Sequence, residues 1–241
     1  MASVSFLDTT TAGDTDNYDS PWIAVYYVSD CVDRSYLDTA YDYVVDCLEN
    51  TYNTGYISGY TVKKRAINGW CPGCCGNSKI YDQWNNKRDE LYLTHTGEHV
   101  LIHSCAYGEC NVHVGTRDGN NPWAADCGAV ATTDEGISSN EGVAETVMHE
   151  ALHGYCRRDL CDNVDDMIVD NEHDLGEVKY IDGEHSETPF GTESASERGT
   201  CDTKSGWPPE RFTHELSKCE RKGIKESAEH TAGFHDCSRC T

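Results

Sequence analysis

Glu145-Thr-Val-Met-His149-Glu150-Ala-Leu-His153 is the stretch whose reading decides this chain. Two histidines four positions apart lie one turn apart on the same face of an α-helix, and the neighbouring residues predict such a helix. Val143, Val147 and Ala151 repeat every four residues, with Ala144, Met148, Leu152 and Tyr155 beside them, so one side is apolar. Ser138 or Ser139 can cap its start, and Glu141 adds a negative charge where the helix dipole favours one. Both imidazoles can then reach a single Zn²⁺ at the ~2.0–2.1 Å of a zinc–nitrogen bond. Glu150, beside the first histidine, can accept a proton from an attacking water and pass it to a leaving amine, while the metal polarises a peptide carbonyl. These residues point to one catalytic zinc, with His149 and His153 as ligands and Glu150 as general base.

Upstream, the apolar run Ile23 to Val28 predicts a buried strand. Asp33 can cap a helix over Tyr36 to Tyr52, in which Leu37, Ala40, Tyr41, Val44, Val45 and Leu48 recur at three- and four-residue steps. Tyr60 to Ala66, His99 to Ser104 and Gly128 to Thr132 read as further strands, and Asn77 to Arg88 as a short helix or a long loop. Cys110 to Thr116 alternates Val112 and Val114 with polar neighbours, the pattern of a half-exposed edge strand.

This order of elements, followed by a helix bearing H-E-x-x-H, resembles the amino-terminal half of the zincin metallopeptidases. The resemblance implies an α/β (α+β) zincin-like fold, in which a twisted, mostly parallel sheet with an antiparallel edge strand packs on the active-site helix. It also implies peptide binding along that edge; His113, read first as a polar strand position like His95, His99 and His103, is the lesser candidate to contact substrate there. Residues 1–156 would form an N-terminal subdomain, and 157–241 a Cys-rich, irregular C-terminal one that supplies the third zinc ligand.

Four residues compete for that ligand. In the metzincins the motif continues as H-x-x-G-x-x-H or ends in Asp; here His153-Gly-Tyr-Cys156-Arg-Arg-Asp159 offers Asp159, but Cys156 replaces the turn-forming Gly. In the gluzincins a Glu follows the second His by about twenty residues, which suits Glu172 by spacing. His173 stands next to it, carries the better zinc ligand, and precedes a turn at Asp174-Leu175-Gly176, so it leads; His185 is the fourth candidate. Glu172-His-Asp-Leu-Gly176, Thr188-Pro-Phe-Gly-Thr192 and Gly199-Thr-Cys201 are also similar to a group of secreted archaeal and fungal zincin-like proteins. That pattern has Met where this chain has Phe190, so any hydrophobic floor below the metal would be packed differently here.

Composition sets the surroundings. Fourteen cysteines in 241 residues read as seven disulfides in an oxidising compartment, hence a secreted protein. Cys71-x-x-Cys74-Cys75 and Cys237-x-x-Cys240 are read as structural disulfides, and a bridge between Cys156 and Cys161 would hold the chain after the motif helix. Met1 to Asp8 lacks a basic region followed by an apolar one, which suggests a mature or trimmed form. A formal charge of -23 disfavours nucleic acid, and no apolar run is long enough for membrane insertion. Acidic residues from Asp162 to Asn171 offer oxygen ligands for Ca²⁺ but lack EF-hand spacing.

Tyr155 and Tyr180 are candidate donors to a tetrahedral oxyanion, and His95, His99 and His103 are read as polar strand positions. The expected function is a secreted zinc metalloendopeptidase acting on protein or peptide substrate. The alternative is a non-catalytic, cysteine-rich binding or adhesion protein that carries zinc on the same scaffold. Oligomeric state leaves no mark in the sequence.

Overall fold

The apolar run predicted to be a buried strand is β2 (Trp22–Val28), buried along its whole length in the computed structural model. The structure describes residues 1–17, 19–72, 77–93, 97–103, 128–132, 139–156, 172–181, 184–191 and 211–230. β2 is buried because it is central: β3 (Gly59–Asn68) pairs parallel on one side and β4 (Glu98–His103) parallel on the other. β5 (Gly128–Thr132) adds a further parallel strand beyond β4.

The remaining strand, β1 (Ser3–Gly13), pairs antiparallel with β3 and completes a five-stranded sheet of order β1-β3-β2-β4-β5. The sheet is thus mostly parallel with an antiparallel edge, but β1 supplies that edge. The edge strand expected at Cys110–Thr116, with His113, lies outside the described residues.

Helix α1 (Arg34–Asn53) starts where the sequence predicts, with the Asp33 carboxylate accepting from the Ser35 amide at 2.8 Å. Its buried face, including Leu37, Tyr41, Val44 and Leu48, packs against the sheet and against α3 (Asn140–Tyr155). Ser139 caps α3 by accepting from Gly142 N at 3.0 Å. The Asn77 segment resolves into a helix, α2 (Asn77–Glu90). Its Trp84 is buried, donates from Nε1 to the His99 carbonyl at 3.1 Å and meets Tyr26 edge-on. His99 and His103 are polar positions of β4, as expected, but both are buried. The Tyr26 hydroxyl lies 2.9 Å from His99 Nδ1; burial pushes His103 down to about 4, so its ring is neutral.

After Cys156 there is more regular structure than the sequence suggests. A 3₁₀ turn spans Glu172–Leu175, and β6 (Val178–Ile181), β7 (Glu184–Glu187) and β8 (Arg211–Phe212) form a small second sheet. These strands are only two to four residues long, too short for periodicity to show. Helix α4 (Lys218–His230) buries Cys219 and Ile224 and packs on α3.

Cysteine pairing departs from the full set of seven bridges. Cys71 pairs with Cys31, linking the segments that follow β3 and β2. Cys47, however, is a buried thiol on α1, in the hydrophobic core; burial pushes it well above the usual thiol range. A free cysteine behaves as a small apolar side chain, and that is its use here. Cys74, Cys75, Cys161, Cys237 and Cys240 lie outside the described residues.

Candidate metal centre

α3 carries its two histidines toward each other. His149 Nε2 and His153 Nε2 are 3.2 Å apart. Two nitrogens bound tetrahedrally to one zinc at ~2.0–2.1 Å would stand about 3.3 Å apart, so the pair already has the spacing of a shared ion.

The tautomer follows from the opposite side of the ring. His149 Nδ1 lies 2.5 Å from the Pro189 carbonyl oxygen, which can only accept, so Nδ1 holds the proton and Nε2 of the neutral ring presents its lone pair. Burial lowers the His149 pKa, with the Pro189 contact opposing, and favours that neutral form.

Phe190 closes the site from below. It is fully buried, its ring centroid 5.1 Å from that of His149, edge-on, and 4.9 Å from that of His153. The residue that departs from the Met of the zincin-like pattern therefore does stand against both imidazoles. Its segment is clamped to the chain that follows the 3₁₀ turn. Thr188 N donates to the Glu177 carbonyl and Glu177 N to Thr188 Oγ1, each at 2.9 Å.

Gly176 makes this approach possible, since a Cβ there would stand 2.0 Å from the Phe190 carbonyl carbon. The backbone of the Glu172–Leu175 turn is thereby brought next to the floor segment. The side chains of Glu172 and His173 lie outside the described residues, as does Asp159. His185 meets Tyr180 at a tilt across the β6–β7 pair, ring centroids 5.1 Å apart. Among the described residues no group of three or more His, Cys, Asp or Glu side chains gathers as a metal site. His149 and His153 fit two positions of a zinc site.

No family model matches this chain, nor does any curated protein or solved structure. The residues alone carry the reading. Glu150 is buried on α3 beside the two histidines. Carboxylates crowd the same helix: burial, with Glu187, Glu220 and Glu150 nearby, pushes Glu145 well above the usual carboxylate range.

The Tyr155 hydroxyl is engaged within the fold. It donates to the Trp22 carbonyl at 2.5 Å and accepts from Trp22 N at 3.0 Å, which fixes the end of α3 to the start of β2. Tyr180 is exposed.

Sequence reading missed Ser217 and Glu220, which form a capping box at the start of α4. Glu220 N donates to Ser217 Oγ at 2.8 Å and Ser217 N to Glu220 Oε2 at 2.5 Å. The signal was present as Ser217-x-x-Glu220 ahead of the helix. Ser217 Oγ also donates to the Leu175 carbonyl, and Glu220 Oε1 accepts from Phe190 N at 2.6 Å. The cap of α4 thus holds both the turn and the floor.

Proposed function

We propose that this chain is a zinc-dependent endopeptidase of the zincin type, secreted and acting on protein or peptide. The observation that carries the reading is the 3.2 Å spacing of His149 and His153 Nε2, with the His149 tautomer set by Pro189. His149 and His153 hold the ion, and His173, on the turn beside the floor segment, is our choice for the third ligand. When bound, Zn²⁺ supplies Lewis acidity, polarising the scissile carbonyl and acidifying water.

Glu150 takes the proton from the attacking water and gives it to the departing amine. Its burial on α3 beside the two histidines supports that role. The disulfide Cys31–Cys71 supports an oxidising compartment. No helix among the described residues is long and apolar enough to cross a membrane. Calcium at Asp162–Asn171 lies outside the described residues.

Removing zinc with a chelator should abolish cleavage of an unfolded protein substrate, and stoichiometric Zn²⁺ should restore it. Cleavage that persists after the metal has been removed and measured as absent contradicts the proposal. Zinc binding without any cleavage of a peptide library would favour the binding protein instead.

A further inference from the structure

We infer that Glu220 is a positioning residue for the zinc pair, acting on His149 through the single peptide group between Pro189 and Phe190. This rests on the zinc reading above. The N–H of that peptide group donates to Glu220 Oε1 at 2.6 Å, and its carbonyl oxygen lies 2.5 Å from His149 Nδ1. One rigid plane is held at both ends, by a carboxylate and by an imidazole.

A histidine that binds zinc is commonly oriented by a carboxylate or a carbonyl on its other nitrogen. Here the carboxylate works through the carbonyl. An anion accepting from the N–H polarises the peptide, makes its oxygen a stronger acceptor and so makes His149 Nε2 a stronger ligand.

A capping role alone does not account for the arrangement. Burying a carboxylate is costly unless its oxygens are satisfied. Glu220 is fully buried, with Oε2 on Ser217 N and Oε1 on Phe190 N. Each oxygen accepts from a backbone amide, and the positive end of α4 favours the charge. A glutamine offers one acceptor oxygen for these two amides, so Glu220→Gln must lose one of the contacts.

The test is zinc affinity, measured by competition with a chromogenic chelator on the folded, zinc-free full chain. Glu220→Gln should bind zinc about 10-fold more weakly than wild type, the lower end of the effect expected for a group that orients a ligand. Asp33→Ala, which removes the remote cap of α1, is the stability control and should bind zinc as wild type does.

A Glu220→Gln protein that melts lower but binds zinc within about twofold of wild type overturns the inference and leaves the zinc reading standing. If Glu220→Gln does not fold, the wild type decides by NMR. Zinc titration should shift the Phe190 amide proton, and an unmoved Phe190 amide overturns the inference. Wild-type protein that binds no zinc overturns the metal reading, and this inference with it.

Discussion

Replacing Glu150 by Gln should lower kcat/KM for peptide hydrolysis by about 10²–10⁴-fold while one zinc per chain is retained. Glutamine keeps the volume of the buried side chain, so α3 should stay packed, but it has no carboxylate to take a proton. The loss corresponds to about 3–5 kcal/mol of transition-state stabilisation. Because Glu150 is assigned as base and not as ligand, metal content separates the two roles. Steady-state kinetics on a peptide, with zinc measured on the same samples, is the check. A variant that loses zinc along with activity would make Glu150 a structural part of the site, and one that keeps full activity would remove it from the mechanism.

Phe190→Ala should destabilise the protein by about 3–5 kcal/mol, the range for truncating a fully buried aromatic side chain, and should weaken zinc binding as well. The ring stands against both imidazoles, and a cavity in its place would let them tilt away from the convergence of their Nε2 atoms. Phe190→Met should cost less than about 1.5 kcal/mol, because methionine nearly conserves volume and adapts to irregular space. Urea unfolding of the zinc-free proteins gives the stability terms, and chelator competition the affinities. Equal zinc affinity for the alanine and wild-type proteins would show that Phe190 fills space without holding the ligands.

The sheet and the motif helix were legible wherever a long element carried a period or a continuous apolar run. β2, β4 and α1 were placed to within about two residues, and the caps Asp33 and Ser139 act as the local chemistry requires. β1 was not legible, since none of its residues is fully buried and its threonine-rich sequence offers little apolar contrast. The meeting of His149 and His153 follows from helical spacing alone. The contacts of Pro189, Phe190 and Glu220 join segments thirty or more residues apart, and no local pattern encodes such meetings. The Ser217–Glu220 box was readable as a cap, but only the fold reveals what its second carboxylate oxygen holds. Cys47 is a similar case: an even cysteine count suggests pairing, and only its place in the core shows that burial is its use.

Diffraction data collected at the zinc absorption edge on crystals grown with equimolar Zn²⁺ test the central claim most directly. An anomalous peak should lie about 2.0–2.1 Å from Nε2 of both His149 and His153, with Nδ1 of His149 still on the Pro189 carbonyl. Zinc found only at other residues, or a His149–His153 pair that remains without a peak, would contradict the account.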